Sequence, residues 1–190
     1  VGPAGDVNGD GYDDVIVGEP LAGCSAGAAT LYYGSSAGLS AGSSWTASAP
    51  LGCNGRFAMT VAGLGDINGD GFDDLGIGSE TRQISMTTSP GRAYLGSNSG
   101  PVFSPSHSRE GSYACRLAPA GDVNGDGYAD YWIADPYFVD PSGNNTGFSA
   151  ILHGGAGGIT GGSLFNIGAL DHYGILCFTA GDVNGDGLGD

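Results

Sequence analysis

Short apolar runs recur along the chain, and Gly, Pro, Ser and Asn separate them. Short runs rich in β-branched and aromatic residues between such turn-forming residues are typical of strands. The runs occur in pairs, and the three pairs are residues 15–17 with 29–33, 75–77 with 92–95, and 131–133 with 149–152. We find no stretch of ten or more residues with a helical period, so the pattern predicts an all-β fold.

A weaker fourth strand is predicted in each unit, around Trp45, His107 and Phe165. Each unit is then a four-stranded antiparallel sheet of about sixty residues, and sheets repeated at that period are typical of β-propeller blades. The chain holds three repeat lengths, whereas propellers have roughly four to eight blades. We therefore interpret residues 1–190 as a partial propeller from a longer chain. Assembly of several copies and an open array of blades are the alternatives.

A nine-residue acidic motif precedes each pair of runs, and a fourth copy ends the chain. The copies start at Asp6, Asp66, Asp122 and Asp182, with spacings of 60, 56 and 60 residues, and we call them loops 1 to 4. Positions 1, 3, 5 and 9 carry Asp, Asn, Asp and Asp, while position 6 is a glycine that permits a sharp turn. These side-chain oxygens, with the backbone carbonyl of position 7, suit the roughly six to eight oxygen ligands of Ca²⁺.

The motif predicts a complete set of metal ligands. They are Asp6, Asn8, Asp10, Tyr12 (carbonyl) and Asp14; Asp66, Asn68, Asp70, Phe72 (carbonyl) and Asp74; Asp122, Asn124, Asp126, Tyr128 (carbonyl) and Asp130; and Asp182, Asn184, Asp186, Leu188 (carbonyl) and Asp190. Position 8 holds Asp13, Asp73, Ala129 and Gly189, and this variation argues against a ligand there. We expect up to four structural calcium ions, one per loop. Loop 4 differs from the others because the chain ends at Asp190, without the following strand.

Two other interpretations of the motif have to be weighed. Asn-Gly and Asp-Gly favour turns without any metal, but three carboxylates in one turn repel one another unless a cation is present. The motif also matches the start of an EF-hand, which requires Glu at position 12. This chain has Val17, Ile77 and Ile133 there. We therefore favour a calcium loop between two strands.

The charge distribution supports a cation site. The chain has 20 acidic and 5 basic residues and a formal net charge of −15, and 12 of the acids are predicted ligands in the four loops, three in each. Four Ca²⁺ ions would change that charge to −7. The acidity disfavours nucleic acid and anionic membrane surfaces as partners. No apolar stretch reaches the length of a membrane span, so we expect no membrane insertion.

The remaining reactive residues predict no catalytic site and no organic cofactor. The three histidines are scattered, and no nucleophile or acid repeats beside them. The four cysteines lack zinc spacing, and their even number fits disulfides in an oxidising compartment. A disulfide between Cys24 and Cys53 is one alternative, and free thiols are the other. For Cys115 and Cys177, buried free thiols are at least as compatible with the sequence.

The order of these elements resembles the FG-GAP repeat of integrin α-subunit propellers and their bacterial relatives. An aromatic and a small residue stand nine positions before loops 2 to 4, as Phe57-Ala58, Tyr113-Ala114 and Tyr173-Gly174. After loop 1 and its strand, Gly18-Glu19-Pro20 matches the GAP element, which the later copies match imperfectly. The resemblance implies a β-propeller with calcium on the loops at one rim, usually extracellular and often adhesive.

From the residues and this resemblance we expect a secreted or cell-surface module, stabilised by calcium, that acts in adhesion, protein–protein interaction or surface assembly. Its partners would be a protein or glycan ligand on the cell surface, or further blades or copies of the same protein. A lectin-like carbohydrate-binding propeller and a non-catalytic part of a larger secreted enzyme are the alternatives. In each case we expect no enzymatic activity from this chain.

Overall fold

The computed structural model describes residues 1–42, 44–49, 55–80, 89–112, 116–138, 140, 142–144, 146–165, 180–181, 183–185 and 188. Within these ranges the chain forms strands and one short helical turn. The strands are β1 Gly2–Gly5, β2 Asp14–Glu19, β3 Ala28–Tyr32, β4 Trp45–Ser48, β5 Phe57–Gly65, β6 Asp74–Ser79, β7 Ser89–Leu95, β8 Val102–Ser112, β9 Arg116–Gly121, β10 Asp130–Asp135, β11 Phe148–His153 and β12 Gly161–Phe165. The helical turn, α1 (Ala22–Ser25), contains left-handed residues at Gly23 and Cys24 and so does not propagate.

The strands form three separate four-stranded sheets, each antiparallel and each in chain order. Their orders are β1-β2-β3-β4, β5-β6-β7-β8 and β9-β10-β11-β12. The register is regular in the middle of each sheet, where Val17 lies opposite Thr30 and Ile133 lies opposite Ala150. The predicted all-β architecture is confirmed, including the fourth strand that contains Trp45, His107 or Phe165. These sheets are the blades of a β-propeller.

Hydrophobic side chains between the blades hold the blades together. One cluster joins Ile16 and Leu31 of the first blade to Phe57 and Ile77 of the second, and all four are fully buried. A second cluster joins the second blade to Tyr131 and other residues of the third. Burial of each such large side chain contributes about 1.5–3 kcal/mol. The core therefore lies between neighbouring sheets, because a single twisted sheet cannot cover its own apolar faces.

The aromatic-small element contacts the blade before it. Phe57 and Ala58 begin β5, the Phe57 side chain is fully buried, and Ala58 adopts a left-handed φ of 62°. A side chain on Gly18 would meet the Ala58 carbonyl at 2.3 Å, so glycine is required in the first blade at this contact. The FG element of one repeat thus packs on the GAP element of the preceding repeat. The elements at 113–114 and 173–174 lie outside the described residues.

A glycine follows the third strand of each described blade for a steric reason. A Cβ atom on Gly34, Gly96 or Gly154 would lie 2.2–2.4 Å from the carbonyl oxygen of loop position 8 in the same blade. At Gly96 the Val7 carbonyl of the previous blade is also only 2.7 Å away. No atom of a side chain fits between two fixed backbone segments. The recurrent glycine therefore marks the point where the third strand meets the acidic loop.

We expect Gly96→Ala to lower the free energy of unfolding by about 2–3 kcal/mol, because the methyl group forces two backbone segments apart. Urea denaturation followed by tryptophan fluorescence measures this change. Gly42→Ala is the matched control, since a Cβ atom there meets nothing within 4 Å. Equal midpoints for the two variants would contradict the steric argument.

Candidate metal centre

The three fully described acidic loops occupy equivalent places in their blades. Loop 1 connects β1 to β2, loop 2 connects β5 to β6, and loop 3 connects β9 to β10. Backbone hydrogen bonds join loop 1 to loop 2 and loop 2 to loop 3, so the loops lie side by side on one rim. In loop 4 the described residues include Asn184 and Leu188, whereas its three aspartates, Asp182, Asp186 and Asp190, lie outside the described residues.

In loop 1 the Asp6 carboxylate holds the turn through the backbone. Its Oδ1 accepts hydrogen bonds from the N–H groups of Gly9 and Asp10 at 2.8 and 3.0 Å, and its Oδ2 accepts one from Gly11 at 2.8 Å. Asn8 and Asp10 are also joined, because the Asn8 amide donates to Asp10 Oδ2 at 2.9 Å. Gly11 has a φ of 88°, a conformation that few residues other than glycine adopt.

Loops 2 and 3 repeat this hydrogen-bond pattern atom for atom. Asp66 and Asp122 each accept three backbone N–H groups of their own loops at 2.7–3.1 Å. The Asn68–Asp70 and Asn124–Asp126 pairs have side-chain bonds of 2.9 and 3.0 Å. The three loops therefore have the same residues at positions 1, 3 and 5 and the same local geometry. In each loop these three positions lie in one turn.

The aspartate at position 9 has a different environment, because it begins the second strand and is buried. Asp74 is fully buried; its Oδ2 accepts the Ile67 N–H at 2.8 Å and its Oδ1 accepts the Gly96 N–H at 2.7 Å. Asp14 and Asp130 make the equivalent pairs of bonds at 2.8–3.0 Å. This carboxylate thus links the acidic loop to the end of the third strand, a role that the ligand spacing alone does not reveal.

Burial makes the charged form of these carboxylates costly. Desolvation, together with the nearby carboxylates of Asp70 and Asp66, raises the pKa of Asp74 to about 7, although the two backbone hydrogen bonds oppose the shift. The pKa of Asp14 is raised for the same reasons, with Asp10 and Asp6 as the neighbouring charges. Asp14 and Asp74 therefore experience the negative charge of positions 1 and 5 in their own loops, and a nearby cation would relieve this repulsion.

The donor set of each loop fits a hard divalent cation, since it consists of carboxylate, amide and backbone oxygens. Among the described residues, however, no three side chains of His, Cys, Asp or Glu are grouped closely enough to hold a metal. The carboxylates at positions 1 and 5 instead accept hydrogen bonds within the loop. The ligand assignment therefore stays a prediction.

Comparison with known proteins agrees with this architecture. The FG-GAP repeat profile matches residues 2–32, which include β1, loop 1, β2 and β3. Integrin alpha-PS2 of Drosophila melanogaster is 30% identical over 168 residues, which cover 79% of this chain and 11% of that protein. Integrin alpha-PS5 of the same organism is 41% identical over 146 residues, covering 70% of this chain and 14% of that protein. The chain belongs to the FG-GAP repeat family.

The similarity extends to vertebrate integrin α chains. Integrin alpha-7 of Mus musculus is 31% identical over 141 residues, which cover 67% of this FG-GAP chain and 11% of the relative. The chain therefore spans only a small part of the length of the relatives it matches. Within the described residues no helix is long and apolar enough to cross a membrane.

Neighbouring loops of this FG-GAP chain also contact each other through side chains. The residue at position 7 of one loop lies over the position-4 glycine of the loop before it. A Cβ atom on Gly9 would be 2.7 Å from the Phe72 ring, and one on Gly69 would be 2.6 Å from the Tyr128 ring. Leu188 lies near Gly125 in the same way. Position 7 therefore contributes its carbonyl to the predicted site and its side chain to the junction between blades.

Position 8, where the sequence variation argues against a ligand, forms the polar part of the same junction. The N–H of Asp73 donates to the Asp6 carbonyl at 3.1 Å, and the N–H of Ala129 donates to the Asp66 carbonyl at 2.9 Å. The Asp73 carboxylate also accepts the Asp6 N–H at 2.8 Å. Sequence reasoning missed these contacts because they join residues about sixty positions apart. The variation at position 8, from Asp in loops 1 and 2 to Ala and Gly in loops 3 and 4, was the available signal.

The other polar and aromatic residues of the FG-GAP chain act in packing. His107 is buried, and its ring nitrogens contact Ser104 Oγ at 2.9 Å and the Gly155 carbonyl at 3.0 Å, which links the second and third blades. His153 lies 3.1 Å from Asp130. The Trp45 and Tyr94 rings form an edge contact at 5.2 Å, so Trp45 supports the core. His172 and three cysteines lie outside the described residues.

Proposed function

We propose that this chain is part of an extracellular FG-GAP propeller that calcium stabilises and that presents a surface for protein–protein interaction or adhesion. The observation that carries the proposal is the repetition of one oxygen donor set, with the same hydrogen bonds, on adjacent loops of three blades. If each loop were only a turn within its own blade, the same set of oxygen donors would not need to recur in all three loops. We propose the same role for loop 4, and residues 1–190 as part of a single propeller.

The proposed ligands are the carboxylates and amide at positions 1, 3, 5 and 9 and the carbonyl at position 7. A bound Ca²⁺ supplies positive charge that offsets the repulsion among these carboxylates. The chain supplies the rest of the mechanism. Position 1 closes the turn, and position 9 connects that turn to the second and third strands. Keeping position 9 ionised would therefore stabilise the blade as well as the loop.

The interaction role rests on the relatives, which are named integrin α chains. Because this chain covers 11% and 14% of those two proteins, their ligands are not transferred to it. What is transferred is the propeller as a non-enzymatic scaffold outside the cell. Extracellular calcium sites with dissociation constants of ~10⁻⁴–10⁻³ M are sufficient in that setting.

A disulfide between Cys24 and Cys53 completes the proposal. The N–H groups of Arg56 and Phe57 donate to the carbonyls of Ser25 and Ala26 at 3.0 and 2.9 Å. These bonds place the segment after Cys53 beside the segment after Cys24, although Cys53 itself lies outside the described residues. A bridge there would close a loop of about thirty residues and would contribute about 3 kcal/mol.

Calcium binding is tested directly by isothermal titration calorimetry of the full chain. We expect at least three Ca²⁺ ions per chain, with dissociation constants of ~10⁻⁴–10⁻³ M. The variant D10A/D70A/D126A removes the exposed position-5 carboxylate from loops 1 to 3 and should lose the binding by these three loops. Each carboxylate is a proposed ligand and makes its described side-chain contacts within its own loop.

The matched control is S36A/S99A/S142A, which changes one exposed serine outside the acidic loop in each blade and should keep the calcium stoichiometry. The interaction role is tested by cell attachment to the immobilised chain, which should require calcium and fail for D10A/D70A/D126A. Stoichiometric binding without attachment would limit the proposal to a structural calcium role. Absence of calcium binding in the unmodified chain would overturn the proposal.

A further inference from the structure

We infer that Asp73, which belongs to loop 2, is a positioning residue for the metal site of loop 1. Metal binding in loop 1 then depends on a side chain of the next blade. The inference rests on the proposed function, since it assumes that loop 1 binds Ca²⁺. Position 8 of one loop would then position the first ligand of the loop before it, a role that cannot be seen from the ligands of a single loop.

The Asp73 contact is made to the first predicted ligand of loop 1. Asp73 Oδ2 accepts the backbone N–H of Asp6 at 2.8 Å, while the Asp73 N–H donates to the Asp6 carbonyl at 3.1 Å. Both backbone groups of Asp6 are therefore bonded to one residue of the next blade. Two hydrogen bonds to the same residue restrict its rotation more than one bond does. The backbone of Asp6 is thus fixed before its side chain meets a cation.

The residue before loop 1 makes room for this carboxylate. Gly5 has a φ of 74°, and a Cβ atom on it would lie 2.1 Å from Asp73 Oδ2. Any larger residue at this position would displace the Asp73 side chain. Gly5 and Asp73 therefore form a matched pair across the junction between the first and second blades.

The next junction along the rim provides a natural comparison. Ala129 occupies position 8 of loop 3, and its N–H still donates to the Asp66 carbonyl at 2.9 Å. Its methyl group provides no acceptor for the Asp66 N–H. Gly65 stands before loop 2 with a φ of 79°, as Gly5 does before loop 1. The two junctions thus share a backbone and differ by one carboxylate.

The consequence is a directional dependence between neighbouring sites. Loop 1 should lose less conformational freedom on metal binding than loop 2, because Asp73 already holds its first ligand. Disturbance of loop 2 should weaken loop 1, whereas disturbance of loop 3 should weaken loop 2 less, because Ala129 provides no carboxylate to Asp66. A purely local site would show neither behaviour.

The test is a calcium titration of the full chain by NMR, with the amide signals of the position-6 glycines Gly11, Gly71 and Gly127 reporting loops 1, 2 and 3. We expect Asp73→Ala to raise the dissociation constant of loop 1 about five- to tenfold, the effect of losing one ordinary hydrogen bond. Loop 3 should change less than about twofold and serves as the internal reference.

Two further variants separate the hydrogen bond from the charge and from a general loss of stability. Asp73→Asn keeps an acceptor for the Asp6 N–H and should weaken loop 1 only about twofold. Ala129→Asp introduces the missing carboxylate at the second junction and should tighten loop 2 about two- to fivefold, while loop 3 stays within about twofold. Since Ala129→Asp is a gain of binding, it also tests the inference if Asp73→Ala does not fold.

The outcomes distinguish this inference from the proposed function. If no loop of the unmodified chain responds to calcium, the proposed function is wrong. If the loops bind calcium and Asp73→Ala leaves loop 1 unchanged, the proposed function stands and Asp73 is not a positioning residue. Equal weakening by Asp73→Asn and Asp73→Ala would also overturn the inference, because charge alone would then explain the effect.

Discussion

Removing calcium with EGTA is expected to lower the melting temperature of this chain by about 3–15 °C. At ~1 mM Ca²⁺, each site with a dissociation constant of ~10⁻⁴–10⁻³ M stabilises the folded state by about 0.4–1.4 kcal/mol. Three loops together contribute about 1–4 kcal/mol, and 1 kcal/mol corresponds to about 2–4 °C in a chain of this size. Differential scanning calorimetry with and without EGTA measures the shift.

The size of the effect should follow the calcium concentration, because mass action links binding to folding. Adding excess Ca²⁺ after EGTA should restore the original melting temperature. Magnesium at the same concentration should restore much less, since it needs a stricter six-fold geometry. A melting temperature that is the same in EGTA and in calcium would contradict a stabilising metal.

The second large effect is expected from Asp74→Ala, which should destabilise the chain by about 3–5 kcal/mol even in EGTA. The substitution leaves the buried N–H groups of Ile67 and Gly96 without their acceptor, and each such loss costs about 1–3 kcal/mol. Urea denaturation at pH 8, above the raised pKa of Asp74 of about 7, measures the change with the wild-type carboxylate ionised.

Asp70→Ala is the matched control for this prediction. Asp70 is a predicted ligand of the same loop, but its carboxylate is exposed and accepts the Phe72 N–H and the Asn68 amide. In EGTA its replacement should cost less than about 1 kcal/mol, and in calcium it should remove the contribution of loop 2. If Asp74→Ala and Asp70→Ala were equally mild in EGTA, the buried carboxylate would not have the structural role inferred for it.

Much of the fold follows from local patterns in the sequence. Apolar runs such as Val15-Ile16-Val17 alternate with turn residues, and a repeat of about sixty residues already defines the four-stranded unit. The predicted fourth strands at Trp45, His107 and Phe165 are confirmed. The first of these packs through Trp45 against Tyr94 of the next blade, a contact that no local pattern specifies. Contacts between blades join residues that are far apart in the sequence, so they form only when one folded sheet packs beside the next.

The turn that carries the predicted ligands follows from their spacing in the sequence. Asp6, Asn8 and Asp10 lie together in one turn because they are close in sequence. The buried bonds of Asp74 to Gly96 and of Asp73 to Asp6 were not predictable, since they join positions 22 and 67 residues apart. Spacing within a loop therefore predicts its oxygen donors, whereas some of the residues that hold those side chains and their backbone come from other strands and from the next blade.

The contact between neighbouring loops has a consequence for how such a chain changes its number of repeats. Every repeat carries both halves of the junction, namely the position-4 glycine and the residues at positions 7 and 8. Duplication or loss of a whole repeat therefore leaves each glycine facing a position-7 side chain. Insertion of a single residue within the nine-residue loop would instead disturb two junctions at once. Length variation is thus accommodated outside the loops, as in the repeat lengths of 60 and 56 residues.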